Sequence, residues 1–242
     1  MQVVKSDEEG LEAAAKVLLA GGVAVIPTDT VYGLAAHPDF PEAVDRLYTI
    51  KGREAKKPIA LLAADVEAVE RFGFRITDKA LELVKHWPGG LTLILSKSTL
   101  NSQLSTLNSA EGFRVPDHDW TRRLLAKCGG LLRVTSANLS GQRAATDAPA
   151  ALADVGLSAD IVVDDGISPG GVPSTVVKVD GGHIEVLRLG ACRISDSDEY
   201  QHQENISGAS TSSARLHAGD DDLSPVGVLR VNRAGSPNRR PP

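Results

Sequence analysis

Short continuous apolar runs recur along this 242-residue chain, at 23–26, 59–63, 91–95, 131–135 and 161–163, and each is closed by proline, glycine or a polar turn. Between them lie stretches with helical spacing of apolar residues, at 7–20, 41–50, 66–72, 77–86, 117–128 and 148–153. Runs of this length suit strands buried on both faces, and their alternation with helices dictates an α/β fold. A further short strand is expected at 112–115, ending at Pro116. The last two strands, 174–179 and 183–189, flank Asp180-Gly181-Gly182 and read as a hairpin. That adds antiparallel pairing, so the expected architecture is a twisted mixed open sheet with flanking helices.

Local signals mark the helix ends. Ser6 and Glu9 have capping-box spacing ahead of Leu11, Ala14, Ala15 and Leu18, and Gly21-Gly22 stops the first helix. Pro41 suits the first turn of the second helix, and Asp117 or His118 suits the cap of the helix that runs to Cys128.

The totals narrow the function. Hydrophobic residues at 42% are enough for a sizeable core, whereas a net charge of -5 and 4% aromatics argue against coating nucleic acid by bulk charge or base stacking. Cys128 and Cys192 are far apart and outside metal-ligand spacing, so neither a disulfide framework nor a zinc site is suggested, and no metal ligands are assigned. No basic-then-apolar leader opens the chain, and no apolar run approaches the roughly 20 residues that span a bilayer. A cytoplasmic protein without membrane association is expected. From residue 195 to 242 the composition turns to Ser, Asp, Gly, Asn, Arg and Pro, so the folded domain is expected at 1–194 and a disordered tail beyond it.

Four stretches have the character of a site. Pro27 should end the first apolar strand because it cannot donate to a ladder, leaving Thr28, Asp29, Thr30 and Tyr32 at the strand's carboxyl end, where open α/β sheets bind ligands; an ordinary strand-to-loop turn with Thr and Asp satisfying backbone groups is the plain alternative. Lys51, Arg53, Lys56 and Lys57 place four cations within seven residues around Gly52, a pattern that suits a polyphosphate clamp and equally a solvated basic helix end. Ser136-Ala137-Asn138-Leu139-Ser140-Gly141 ends another apolar strand with small side chains that let a ligand approach the backbone; an Asx or Ser turn is its plain alternative. Ser174 and Thr175 open one strand of the closing hairpin while Arg188 ends the other, a placement that cross-strand pairing could bring together, although threonine on a strand and arginine on an edge are commonplace. No nucleophile with its base is evident, and Asp164-Asp165 reads as a turn. Hydroxyls, an amide and cations suit the positioning and charge neutralisation of a nucleotide.

In order, Pro27 to Leu34, Lys51-Gly52-Arg53 with Lys57-Pro58, Trp87-Pro88-Gly89 with Leu91-Thr92, Arg114 to His118, Ser136 to Gly141 and Ser174 to Val177 resemble the YrdC/Sua5 family, the threonylcarbamoyl-AMP synthases. The resemblance runs from about residue 10 to 190 and is nearest to the short, single-domain members. It implies a YrdC-like sheet around a concave basic cavity. The implied reaction converts L-threonine, bicarbonate and ATP, with magnesium bound through the phosphates, to threonylcarbamoyl-AMP and pyrophosphate. That product feeds the t6A modification of tRNA, so tRNA and the threonylcarbamoyl-transferring machinery are implied partners. By position, Thr30, Arg114 and Ser174 would contact threonine; Arg53, Lys57, Ser136, Asn138, Thr146 and Arg188 would hold ATP; and Lys51 and Arg53 would serve catalysis. Leu62, Ala110, Pro173 and Leu189 depart from the family pattern. Two other readings are a double-stranded RNA or tRNA-binding module and a carbamoyl-adenylating relative of the hydrogenase-maturation carbamoyltransferase domain.

Overall fold

Residues 1–52, 58–97, 109–180 and 183–194 are described by the structure, a computed structural model; Arg53, Lys57 and the segment expected as a tail lie outside them. Ten strands form one sheet: β1 (Gln2–Lys5), β2 (Val23–Ile26), β3 (Gly33–Ala36), β4 (Leu61–Ala63), β5 (Leu91–Ser96), β6 (Ala110–Arg114), β7 (Leu131–Ser136), β8 (Ile161–Asp164), β9 (Thr175–Asp180) and β10 (His183–Arg188). Their order is β1-β8-β2-β3-β7-β4-β6-β5-β9-β10. The pairs β1/β8, β2/β8, β4/β6 and β5/β9 are parallel and the others antiparallel, so the sheet is mixed and open. The helices are α1 (Glu8–Leu19), α2 (Pro41–Lys51), α3 (Val66–Arg71), α4 (Asp78–Val84), α5 (Asp119–Lys127) and α6 (Ala148–Asp154).

Strand alternation distributes the core. Ala24, Ile26, Ile161 and Val163 face α1 and α5, where they meet Leu11, Leu18, Leu124 and Leu125. Val23, Val25 and Val162 face the other way, onto Ala43 and Leu47 of α2 and Ala148 and Ala151 of α6. Farther along the sheet, Leu61, Ala63, Leu91, Leu93, Phe113 and Val177 pack on α3 and α4, with Phe74 edge-on to Phe113 at 4.7 Å between ring centres. Each fully buried leucine or phenylalanine here stabilises the fold by about 1.5–3 kcal/mol. The residues between them, Leu62, Thr92, Ile94, Gly112, Arg114 and Val176, point to the opposite face and line a cavity.

Two local expectations need correction. Asp7, not Ser6, caps α1: its carboxylate accepts from the Gly10 amide at 2.9 Å, while the Ser6 hydroxyl is drawn away to Asp165. A carboxylate facing the positive end of a helix is a strong cap. The residues after Pro27 do not stay out of the sheet either. Gly33 to Ala36 turn back as β3, pairing antiparallel with β2 and with β7, so the motif is the six-residue link of a hairpin. Of the two candidate caps for α5, His118 is the one used, with Nδ1 accepting from the Thr121 amide.

Candidate functional site

The link from β2 to β3 is held from within. Thr28 Oγ1 donates to the Val31 carbonyl at 2.7 Å and accepts from the amides of Thr30 and Val31 at 3.1 and 3.3 Å, an ST-type turn closed by one hydroxyl. Tyr32 is fully buried; its hydroxyl donates to the Gly166 carbonyl at 2.7 Å and accepts from the Asp165 amide at 3.0 Å. Burial pushes this phenol up to about 12. Gly170 and Gly171 donate backbone hydrogen bonds to the carbonyls of Asp29 and Thr30, and a Cβ on Gly170 would lie 2.6 Å from the Asp29 oxygen. Only glycine allows that approach.

Arg114, at the end of β6, binds this link to the rest of the site. Its guanidinium pairs with the Asp29 carboxylate, donates to Thr30 Oγ1 at 2.7 Å through Nη1, and donates to the Gly89 carbonyl at 2.8 Å through Nε. Burial lowers its pKa, Asp29 opposes that shift, and the nearby positive charge of Arg188 adds to it. Thr30 Oγ1 therefore accepts from Arg114, and its own proton has two directions: Thr28 Oγ1 at 3.0 Å, or a molecule in the cavity.

The second polar wall comes from the closing hairpin and β5. Ser174 Oγ lies 2.8 Å from Thr92 Oγ1. Arg188 donates to the Ser174 carbonyl through Nε and Nη2 at 3.1 and 2.7 Å, and Nη2 is 3.3 Å from Ser174 Oγ. Cross-strand pairing thus brings Arg188 to Ser174. Thr175 turns away, its hydroxyl donating to the Cys192 carbonyl at 2.5 Å.

Thr30, Arg114, Thr92, Ser174 and Arg188 share one cavity of about 360 Å³, and Ser136 at the end of β7 joins them. Its apolar wall includes Ile59, Ala60, Leu62, Ile94, Val134 and Val176. The other expected site residues are arranged differently. Lys51 is not part of the lining but lies beneath the turn after β7, where its ammonium donates to the carbonyls of Ser136 and Asn138, both at 2.5 Å. Asn138 is likewise behind the lining; its amide nitrogen serves the carbonyls of Leu139 and Gln142 at 2.8 and 2.9 Å, while its buried Oδ1 has no hydrogen-bond partner among the described residues. Thr146 sits outside the lining too, with its carbonyl accepting from the Ser168 amide at 2.7 Å. Of the four departures from the family pattern, Leu62 and Pro173 line the cavity, whereas Ala110 and Leu189 are exposed.

Thr135 and Thr92, the latter quoted above only within a motif, also line the cavity without a role assigned from sequence. For Thr92 the signal was present: one polar residue interrupts the buried run Leu91-Thr92-Leu93-Ile94-Leu95, and a buried hydroxyl needs a partner. No Asp or Glu lines the cavity among the described residues, and no three His, Cys, Asp or Glu side chains converge on a metal site there. The donor set therefore does not fit a cation held by the protein itself. Among the described residues, no helix is long and apolar enough to cross a membrane.

A family model for Sua5, YciO and YrdC proteins, described as telomere recombination, matches residues 16–190. A threonylcarbamoyl-AMP synthase of Bos taurus is 40% identical over 136 residues, covering 55% of this chain and 49% of that protein. A putative threonylcarbamoyl-AMP synthase of Mycobacterium leprae (strain TN) is 32% identical over 188 residues, covering 77% of this chain and 85% of that protein. The chain thus spans about half the length of the bovine relative and most of the mycobacterial one. Among solved structures, P. abyssi Sua5 complexed with L-threonine is similar at a TM-score of 0.70 and 30% identity, over 78% of this chain and 57% of that one. E. coli YciO has the same fold, with a TM-score of 0.68 at 23% identity over 78% of this chain and 94% of that one.

Proposed function

Because the chain belongs to the Sua5, YciO and YrdC family, we propose that it is an L-threonylcarbamoyladenylate synthase, a nucleotidyl-transferring enzyme that uses L-threonine, bicarbonate and ATP. The observation that carries this reading is the convergence of Thr30, Arg114, Ser174, Arg188 and Ser136 on one cavity with an apolar wall. Such a lining suits a small zwitterion on the hydroxyl side and a nucleotide alongside it.

In this reaction the threonine amine adds to bicarbonate with loss of water. A carbamate oxygen then attacks the α-phosphorus of ATP, a C–O–P linkage forms, and the α–β phosphoanhydride bond breaks with its electron pair leaving on pyrophosphate. The protein's task is to align attacker and leaving group and to balance charge. Thr30, Arg114 and Ser174 are assigned to the amino acid. Ser136 and Arg188 are assigned to ATP, together with Arg53 and Lys57 from outside the described residues. Lys51 and Asn138 act through the turn after β7: the ammonium gathers two carbonyls of that turn and so sets where Ser136 stands. Magnesium belongs to the substrate, as the Mg·ATP complex. The product would pass to the machinery that modifies tRNA with t6A.

Pyrophosphate release in the presence of ATP, bicarbonate and threonine tests the reading. Release that depends on threonine is expected; carbamoyl phosphate replacing threonine plus bicarbonate as the effective substrate would overturn it. Arg53→Ala is expected to remove most of the turnover, and a near-normal rate would remove Arg53 from the phosphate clamp.

A further inference from the structure

We infer that Thr92 is a positioning residue, orienting the Ser174 hydroxyl so that the two side chains together present one hydroxyl proton to the carboxylate of the amino-acid substrate. The inference rests on the proposed use of Ser174 for the amino acid, and it adds a residue to that site.

Three observations lead to it. Thr92 and Ser174 are both buried, at 5% and 8% exposure, yet both line the cavity. Among the described residues, Thr92 Oγ1 hydrogen-bonds Ser174 Oγ at 2.8 Å and nothing else. A hydroxyl carries one proton, so a pair of hydroxyls uses one proton in its mutual bond and keeps the second for a third group. Arg188 Nη2 lies 3.3 Å from Ser174 Oγ, where a cation can only donate, so the remaining proton is not taken up by that side. Its open direction is the cavity, and a donor beside a guanidinium favours an anionic acceptor.

The orientation of Thr92 is set from the other side. The Thr92 methyl is directed towards β6: a Cβ placed on Gly112 would stand 3.4 Å from it. A β-branched side chain has few staggered positions, and with its methyl turned towards β6 its hydroxyl is directed at Ser174. The parallel register that pairs Leu91 with Thr175 and Thr92 with Val176 brings Ser174, just before β9, within reach. The hydroxyl, not the size of the side chain, is what this geometry uses.

The test compares Thr92→Val, which keeps the shape and deletes the hydroxyl, with Thr92→Ser, which keeps the hydroxyl and deletes the methyl. Each full-length variant is assayed for threonine-dependent pyrophosphate release, and for L-threonine binding by calorimetry without ATP or bicarbonate, where only the amino acid's own carboxylate is available. Thr92→Val is expected to raise the threonine KM and Kd by roughly tenfold, the effect of one hydrogen bond to a charged group. The KM for ATP and kcat should stay within about twofold, and Thr92→Ser should recover most of the threonine affinity. A Thr92→Val protein with unchanged threonine affinity, or a Thr92→Ser protein as impaired as Thr92→Val, would overturn the inference in favour of a packing role. Loss of turnover by the wild type with retained, Thr92-dependent threonine binding would sink the proposed reaction alone. Absence of threonine binding by the wild type would sink both.

Discussion

Two pairs of hydroxyls face the same cavity, each beside an arginine, and they are built on opposite principles. Thr28 and Thr30 lie 3.0 Å apart; Thr28 is consumed by three backbone groups of its own turn, and Arg114 is buried against Asp29. Thr92 and Ser174 lie 2.8 Å apart with no such turn between them, and Arg188 reaches in from an exposed position at the end of β10. In the first pair Thr28 and Arg114 are committed before a substrate arrives and only the Thr30 proton is open, so that wall is largely a rigid template. In the second a proton is left over, so that wall can respond to what binds. Preorganisation on one side and an uncommitted donor on the other is an arrangement suited to holding a small polar molecule in one orientation.

Substitutions can break the contrast, and they fall in a clear order of effect. Arg114→Ala leaves the Asp29 carboxylate without its partner in a buried place, and is expected to cost about 3–5 kcal/mol in denaturant unfolding and to abolish pyrophosphate release. Thr28→Val deprives two amides of their acceptor, and a loss of about 1–3 kcal/mol is expected, with reduced turnover. Tyr32→Phe leaves the Gly166 carbonyl and Asp165 amide unpaired at a similar cost of about 1–3 kcal/mol.

Tyr32 also gives a pH signature. Because its phenol is raised to about 12 in the folded protein, the native state keeps a proton that the unfolded chain releases near 10. Its contribution is complete below the unfolded value and is lost as pH rises through the folded one, so stability falls across that alkaline window. Unfolding curves taken through it should show a shallower loss for Tyr32→Phe than for the wild type. On the responsive wall, Arg188→Ala is expected to shift stability by less than about 1 kcal/mol while lowering kcat/KM by roughly tenfold. An Arg188→Ala protein that unfolds as readily as Arg114→Ala would erase the contrast between the walls.

Much of the sheet and its helices was legible because apolar runs and caps are local signals. Pro27 did end β2, and Pro41 does open α2. Two strands escaped. β1 is four residues with one half-buried position, and its partner β8 lies some 160 residues away, so nothing near it in sequence announces a strand. β3 is Gly-Leu-Ala-Ala, residues of weak strand preference that take the conformation because β2 and β7 pair with them on both sides. The same limit applies to the site. Hydroxyl content marked segments that supply Thr28, Thr30, Ser136 and Ser174 to the cavity lining, yet the direction of a side chain depends on contacts between distant strands. Lys51 read as part of a polyphosphate clamp; the carbonyls of Ser136 and Asn138 instead draw its ammonium beneath the turn after β7. Arg114 lies in the motif expected for it, but that it closes the Thr28–Tyr32 link through Asp29, Thr30 and Gly89 follows only from the fold.

In the proposed reaction this cavity joins threonine, bicarbonate and ATP at the α-phosphorus. Full-length protein incubated with ATP, bicarbonate and isotopically labelled L-threonine, followed by mass spectrometry, addresses it directly. The expected result is labelled threonylcarbamoyl-AMP formed in step with pyrophosphate and absent when any one substrate is withheld. Nucleotide turnover that ignores threonine, or that yields ADP and phosphate in place of an adenylate, would contradict it.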